Sequence, residues 1–203
     1  MPNALASLAA AAAGPSHRER LVLGMVAAVA ERGYAATTIT DVVRHARVSR
    51  RTFYEHFSDK EACFLAAYDA VSDGVLGEIA AVAPAGAAWE EHIIAGVHAY
   101  LHALAEQPAI ARVFTVDILG AGPAALARRR DVLRRFATHV QGQVAAAIAG
   151  GAPVTPLTDT AALALVGAIH ELVLAALELD RGAELPALED DVAALVRAVL
   201  LRP

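Results

Sequence analysis

The sequence predicts an all-α protein. Alanine, leucine and valine dominate the 203 residues, and 57% of the chain is hydrophobic. Glycine and proline fall at the ends of apolar segments, while the alternating β-branched runs that are typical of strands are missing from the sequence. The length allows one large helical domain, or a small domain joined to a larger one.

The first two helices have recognisable ends. Ser16 and Glu19 form a capping-box pattern, so a first helix begins there and Gly33 closes it. Its apolar stripe has helical spacing: Val22, Met25, Val26 and Val29. Thr38 caps a second helix that ends near Arg47.

A third, very short helix follows after a tight turn and is capped by Ser49, which predicts a helix-turn-helix. Because so short a helix is unstable by itself, its aromatic residues should hold it against its neighbours: Phe53, Tyr54 and Phe57. Four donors then project outward, suited to a phosphate backbone and a groove edge: Arg50, Arg51, Thr52 and His56. Ser58 and Glu61 form a further capping box, and the fourth helix that begins there reaches towards Val82.

Six short elements between Ser16 and Glu61 follow one another in a characteristic order and spacing: Gly33-Tyr34, Thr37-Thr38, Val48-Ser49, Thr52-Phe53-Tyr54, His56-Phe57 and Lys60-Glu61. They resemble the DNA-binding signature of the tetracycline-repressor (TetR) family of transcriptional regulators. One departure is Arg51, where many members of that family have glycine. The arginine is compatible with a helix and adds charge near DNA, so it bears on sequence preference and leaves the predicted fold unchanged.

The predicted DNA-binding residues divide by role. Thr52 is the first candidate for a hydrogen bond to phosphate, and the resemblance implies backbone contacts for Tyr54 and His56. Lys60 adds a positive charge at the start of the fourth helix. Base reading falls to Arg50 and Arg51, with Thr38 or Arg47 as further candidates, and guanine is the usual partner of arginine. The complete predicted set is Thr38, Arg47, Ser49, Arg50, Arg51, Thr52, Tyr54, His56 and Lys60.

The charge distribution agrees with a DNA-binding head. The whole chain has a net charge of -5, which by itself argues against nucleic acid. The segment 15–60, however, contains eight Arg and Lys against five Asp and Glu, a net charge of +3, so the remainder of the chain carries -8. A basic head on an acidic body is typical of a DNA-binding module joined to a domain that does not bind DNA.

Three regions are predicted from these patterns: a disordered arm at 1–14, a helix-turn-helix domain at 15–61, and a helical effector-binding and dimerisation domain at 62–203. The arm has no basic segment before its apolar stretch, so a signal peptide is a poor interpretation.

The single cysteine, Cys63, is predicted to be a buried structural thiol and fits a reducing cytoplasm. The apolar stretch Ala161 to Leu179 is interrupted by His170 and Glu171, which favours a buried helix over a membrane span.

The body is predicted to contain five helices, whose ends coincide with Gly and Pro: Trp89 to Glu106, Pro108 to Leu119, Pro123 to Ala149, Leu157 to Leu179 and Ala187 to Leu201. The fourth helix of the chain links this body to the head. The last two helices have small, aliphatic faces with little charge, which predicts that they pair across a two-fold axis in a homodimer. The family resemblance implies the same dimer.

A ligand pocket in the body would have mainly aliphatic walls, because only four of the ten aromatic residues lie beyond Tyr68. The predicted ligand-binding residues are these four aromatics and four polar candidates: Trp89, Tyr100, Phe114, Phe136, Asp117, His139, Gln143 and His170. A small or medium, largely apolar effector is the corresponding hypothesis. For each polar candidate, a satisfied or partly exposed side chain is the alternative.

Two other clusters have less specific patterns. His98, His102 and Glu106 share one helix face at metal-ligand spacing, but the sequence indicates no fourth ligand, so no metal is predicted. The arginine cluster at 128–135 is interpreted as a solvated helix face, paired in places with Asp131.

These observations predict a homodimeric, cytoplasmic transcriptional regulator without a cofactor or enzymatic activity. It would act as a repressor on a palindromic double-stranded DNA operator and be released by a small effector, as the family resemblance implies. Three alternatives stay open: a helical enzyme, an adaptor that kept the fold without regulated DNA binding, and a DNA architectural protein without sequence preference. No nucleophile–base spacing or Gly-rich phosphate loop favours the enzyme.

Overall fold

The computed structural model describes residues 15–82 and 88–201. Within these ranges all regular structure is helical, which confirms the predicted all-α class. The α-helices are α1 (His17–Ala36), α2 (Ile39–Ala46), α3 (Arg50–His56), α4 (Lys60–Ala81), α5 (Trp89–Ala105), α6 (Pro108–Thr115), α7 (Pro123–Ala149), α8 (Asp159–Glu178) and α9 (Glu189–Leu200). Short 3-10 segments at Asp117–Gly120 and Gly182–Leu188 precede α7 and α9. The predicted arm at 1–14 lies outside the described residues.

The predicted helix starts in the head are confirmed with one exception. Ser16 and Thr38 form complete capping boxes with Glu19 and Asp41. Ser49 caps α3 by accepting a hydrogen bond from the backbone N–H of Thr52 at 3.0 Å. The helix α4 is capped by Asp59, however, so the prediction of Ser58 was wrong: the hydroxyl of Ser58 donates to the carboxylate of Asp59 instead.

The end of α1 is the predicted break at Gly33, where φ is 73° and the helical path is interrupted before Ala36. Only glycine adopts this backbone conformation without strain. The corner that follows is fixed by Thr37, whose hydroxyl donates to the carbonyl oxygens of Ala28 and Gly33. This corner sets the direction in which α2 leaves α1.

In the body, the predicted bounds of α7 are confirmed, while the other four helices were predicted too long, α5 by one residue and α8 by three. The predicted helix to Leu119 ends at Thr115, and a 3-10 segment takes its place from Asp117. The last helix begins at Glu189 and not at Ala187, because Pro186 lies within a preceding 3-10 turn.

The helices α1 and α2 cross with unusually close backbones. A Cβ atom on Gly24 would lie 2.8 Å from the backbone nitrogen of Ala46 and 2.8 Å from the carbonyl oxygen of Val42. The predicted apolar stripe of α1 is buried throughout, from Val22 to Val29. The side chain of Arg20 donates to the carbonyl oxygen of Ala46 at 2.9 Å, so it satisfies one of the free carbonyls at the end of α2.

One hydrophobic core joins the head to the body. It contains Phe53 and Phe64 from the head side and extends to Phe114 and Val132 in α6 and α7. Cys63 is fully buried in it, as predicted, and this burial raises the pKa of its thiol to about 12. A second core fills the body between α5, α6, α8 and α9.

The helix α8 is long and apolar enough to cross a membrane by length and composition alone. In the monomer, only 33% of the most apolar 18-residue stretch of α8 is buried. One such helix is weak evidence for a membrane span, since a core helix of a soluble protein has the same composition.

Candidate DNA-binding surface and effector cavity

The surface formed by α3 brings the central predicted DNA contacts together. Arg50 and Arg51 lie on its first turn, and the side chain of Arg51 is 90% exposed. Thr52 follows on the same turn, and its hydroxyl lies 2.9 Å from that of Ser49. Ser49 therefore has a structural role as the cap of α3, while the two arginines remain accessible on an anchored helix.

The anchoring of α3 differs from the prediction in one residue. Phe53 is fully buried and Phe57 nearly so, as predicted, but the ring of Tyr54 is 51% exposed. Tyr54 was therefore wrongly assigned to the buried side of α3. Its ring contacts that of Phe53 edge-on, and the guanidinium of Arg50 lies 5.9 Å from its centroid. The exposed phenol is available for a backbone contact on DNA.

Three other predicted DNA-binding residues lie around this surface. Arg47 ends α2 in the left-handed conformation, with φ 52°, and its side chain is exposed two residues before the α3 cap. His56 is exposed at the far end of α3. Thr38 lies at the opposite end of α2. Its hydroxyl donates to the carboxylate of Asp41 at 2.6 Å as part of the helix cap, so its proton is already used within the protein.

Lys60 is bound within the head more firmly than the sequence indicated. Its Nζ donates to the carbonyl oxygens of Tyr34 at 2.9 Å and Thr37 at 3.0 Å, and lies 4.3 Å from the centroid of the Tyr34 ring. Two of the three ammonium protons are therefore used to close the corner between α1 and α2.

The body contains a cavity of about 600 Å³ between α4 and the five helices of the body. Seven of the eight predicted ligand-binding residues line it: Trp89, Tyr100, Phe114, Phe136, His139, Gln143 and His170. The remaining walls are largely aliphatic, from residues such as Val75, Ile79 and Val97. The cavity is apolar with a few polar groups, as predicted.

Two imidazoles, each with a buried Nε2 atom, are the main polar feature of this cavity. The Nε2 atoms of His139 and His170 have no hydrogen-bond partner among the described residues. Burial, and secondarily the charge of Arg129, lowers the pKa of His170 to about 4, so its ring is neutral at pH 7. Burial also raises the pKa of the Tyr100 phenol above its usual range. The cavity therefore offers neutral hydrogen-bonding groups in an apolar surrounding.

Asp117 was wrongly predicted to face a ligand. It does not line the cavity but lies against the end of α1, where its Oδ2 accepts a hydrogen bond from the backbone N–H of Tyr34 at 3.3 Å. The prediction failed because α6 ends at Thr115, which changes the direction of the next residues.

Several cavity residues were missed from the sequence. Tyr68, Ser72 and Val75 line the cavity from α4, a helix that was predicted only to link the head to the body. Their spacing of three to four residues was the available signal, since it defines one helix face. The fourth helix of the chain thus belongs both to the head core and to the cavity wall.

The arginine cluster of α7 is only partly a solvated face. Arg134 pairs with Asp131 on the same helix at 3.0 Å, as predicted. Arg128 and Arg135, however, form ion pairs with Asp69 on α4, and Arg135 also pairs with Asp73. These contacts tie α7 to α4, a relationship that residue spacing within one helix does not indicate.

The face predicted from His98, His102 and Glu106 is also rearranged. The two histidines lie side by side on α5, but Glu106 is exposed at the end of that helix. The glutamate beside the histidines is Glu189, the first residue of α9. This pairing depends on the packing of α5 against α9.

Known proteins share both parts of this architecture. The family model described as bacterial regulatory proteins, tetR family, matches residues 26–67, which extend from α1 into α4. Residues 26–67 thus form a DNA-binding region of the TetR type, and the chain is a DNA-binding transcriptional regulator. No curated protein matches the sequence.

Solved structures of TetR-type regulators are similar to this chain over both the head and the body. The fatty acid degradation regulator FadR from Bacillus halodurans has a TM-score of 0.76 at 19% identity, covering 89% of this chain and 94% of that one. FadR from Bacillus subtilis, in complex with stearoyl-CoA, has a TM-score of 0.74 at 18% identity, covering 87% and 96%. A TetR regulator from Chloroflexus aurantiacus has a TM-score of 0.69 at 24% identity, covering 91% and 96%. At these identities the likeness shows a common fold of head and body.

Proposed function

We propose that this protein is a homodimeric, cytoplasmic repressor that binds a palindromic operator and is released by a largely apolar effector. The observation that carries the proposal is the combination of an anchored, arginine-bearing α3 with a large apolar cavity in the same chain. The proposed DNA-binding domain is 15–61, and the effector-binding and dimerisation domain is 62–203. The protein has no enzymatic role in this proposal.

The proposed DNA contacts are of two kinds: some fix the position of the head on the duplex, and others read the base sequence. Thr52, Tyr54, His56 and Lys60 bind phosphate, which fixes the register of the head on the duplex without reading bases. Arg50 and Arg51 reach the base edges in the major groove, where arginine prefers guanine. The support for this division is exposure: both arginines project from the first turn of α3, while the phenylalanines behind them are buried.

Dimerisation is proposed through α8 and α9. The outer face of α8 exposes apolar side chains at helical spacing: Leu163, Ala164, Ala168, Leu172 and Ala175. Leu179, just beyond its end, is 68% exposed. A soluble monomer would leave this stripe in water, whereas a two-fold pairing of α8 and α9 would cover it. Two heads spaced about one DNA turn apart, or a multiple of it, would then read a palindrome.

The effector class follows from the cavity. Its walls bury an apolar molecule, and the imidazole nitrogens of His139 and His170 that have no partner hydrogen-bond its polar group. The Bacillus subtilis FadR structure contains stearoyl-CoA, whose acyl chain has the same apolar character. Long-chain acyl compounds are therefore among the first effectors to test.

The coupling between cavity and head is proposed to run through α4. Tyr68 and Phe114 line the cavity and lie 5.8 Å apart by ring centroid. Phe64 stacks on Phe114 at 5.5 Å and contacts Tyr34 of α1 at 4.2 Å. An effector that displaces Phe114 would thus act on the end of α1, and release from DNA requires that it bind the DNA-incompetent state more tightly.

The proposal is tested by DNA binding at matched salt. Fluorescence anisotropy would compare the inverted repeat upstream of the gene with a random duplex, for wild type and for Arg51→Ala. We expect Arg51→Ala to weaken specific binding by about 1–3 kcal/mol and to relax preference at one base position. Arg134→Ala, which removes an exposed arginine of α7, serves as the charge-matched control and should leave binding unchanged.

Effector release is tested on the same complex. Acyl compounds of graded chain length, stearoyl-CoA included, would be titrated against the bound operator, and the size of the particle measured by light scattering. Equal affinity for the repeat and for random DNA, or a monomeric protein, would reject the proposed operator binding. If compounds of the series bind the protein but none changes its affinity for DNA, the proposed release by an effector is rejected, while the proposed operator binding still stands.

A further inference from the structure

Two histidines of α5 and one glutamate of α9 meet at the surface of the body. The Nδ1 of His98 lies 3.2 Å from one carboxylate oxygen of Glu189, and the Nε2 of His102 lies 2.8 Å from the other. The two imidazole rings stack with their centroids 3.9 Å apart. One ligand atom from each of the three side chains lies within 4.8 Å of the other two.

We propose that His98, His102 and Glu189 bind a divalent transition metal ion, Zn²⁺ or a close chemical relative, between α5 and α9. Imidazole nitrogen and carboxylate oxygen are ligands that Zn²⁺ takes at about 2.0–2.2 Å, which places neighbouring ligand atoms about 3.3–3.5 Å apart in a tetrahedron. The observed spacing is close to this geometry. The three ligand atoms already lie within 4.8 Å of one another, so small side-chain rotations would be enough to place them around one ion.

The arrangement suits a metal for two further reasons. Histidines four residues apart on a helix point from the same face, so α5 presents two nitrogen ligands without strain. The carboxylate of Glu189 supplies the negative charge that offsets a divalent ion. All three side chains are partly exposed, at 56%, 42% and 29%, so an ion can enter without opening the core and its fourth position is open to water.

A bound ion would join two elements that border the effector cavity. On α5, Val97 and Tyr100 line the cavity, and α9 contributes Val192 to the same walls. Bridging the two helices stabilises the folded body, because the ion binds the native arrangement and not the unfolded chain. The site lies on different helices from the DNA-binding surface, so it stands independently of the proposed operator and effector.

The test uses the full-length, tag-free protein. Isothermal titration with Zn²⁺ should give one ion per chain, and Co²⁺ should give the visible absorption of a nitrogen-ligated, low-coordinate ion. The variants His102→Ala and Glu189→Gln should each weaken Zn²⁺ binding by at least about tenfold, since even outer-sphere changes cost that much. Zn²⁺ should raise the melting temperature of the wild type and of neither variant.

The matched control is Glu106→Gln. Glu106 lies four residues beyond His102, directly after the end of α5. Spacing along the chain would make Glu106 the third ligand, whereas the structure makes it Glu189, so this variant distinguishes the two sites. This variant should bind Zn²⁺ like the wild type. Unchanged affinity in His102→Ala and Glu189→Gln would overturn the proposal. Should those variants fail to fold, a wild-type Co²⁺ spectrum that stays that of the hydrated ion would overturn it as well.

Discussion

Asp117 accepts a hydrogen bond from the backbone N–H of Tyr34, across a separation of 83 residues in the sequence. The contact joins the 3-10 segment of the body to the end of α1, at the break where Gly33 interrupts the helix. The same Oδ2 atom would lie 3.1 Å from a Cβ atom placed on Gly33. The head and the body therefore meet at a residue that must be glycine, and α1 cannot shift freely against the body.

Gly33→Ala should destabilise the protein. The backbone at this position has φ 73° and ψ 163°, a region that only glycine adopts readily, so we expect a loss of about 1–3 kcal/mol in the free energy of unfolding. Urea denaturation followed by circular dichroism measures it. Gly77→Ala is the control: Gly77 lies within α4 with no atom in the way, so alanine there should stabilise by about 0.5–1 kcal/mol. Equal effects at the two glycines would contradict the strain argument.

Lys60→Ala should affect both DNA binding and folding. Losing a phosphate contact lowers affinity evenly across DNA sequences and flattens its salt dependence. The carbonyl oxygens of Tyr34 and Thr37 also lose their donor, which should cost about 1–3 kcal/mol in stability. Anisotropy over a range of salt concentrations and urea denaturation measure the two effects separately.

The control for Lys60 is Arg44→Ala. Arg44 is an exposed cation of α2 whose ion pairs with Glu31 and Asp41 are at the surface, so its loss should change stability by no more than about 0.5 kcal/mol. A Lys60→Ala variant as stable as Arg44→Ala would show that the two carbonyl contacts do not stabilise the corner.

Arg135→Gln should weaken the contact between α7 and α4. Its guanidinium pairs with both Asp69 and Asp73, and the partly buried carboxylate of Asp69 would keep only Arg128. We expect a loss of about 1–2 kcal/mol in the free energy of unfolding. Arg134→Gln, one residue away, removes an exposed pair within α7 and should change stability by less than about 0.5 kcal/mol. Indistinguishable variants would mean that the link to α4 contributes nothing.

His170 should make the protein less stable in mild acid. Its folded pKa is about 4, below the ordinary value of 6.5, so the unfolded chain binds the proton more readily between these values. The stability that depends on the neutral ring is fully present above pH 6.5 and declines as the pH falls towards 4. A shift of this size corresponds to roughly 3 kcal/mol.

Comparing the wild type with His170→Leu isolates this contribution. The difference in unfolding free energy between them, measured by urea denaturation at several pH values, should be constant above pH 6.5 and change steadily below it. Parallel profiles down to pH 4 would show that the buried ring titrates normally.

The sequence by itself determined the helical class, most ends of the head helices and seven residues of the cavity lining. Capping is local, because Ser16 and Ser49 bond to backbone groups three residues away in the chain. Burial along one helix is also local, since its period follows from the helix itself, and this made the α1 stripe predictable.

Only the tertiary structure decided which side chains from different helices meet. Asp117 reaches Tyr34, Arg135 reaches Asp69, and His102 reaches Glu189, in each case between helices distant in sequence. Such pairs depend on the angle and distance at which helices pack, which the close crossing at Gly24 and the corner after Gly33 fix. Periodicity assigns each residue to a face of its own helix, but the element opposite that face is set by packing.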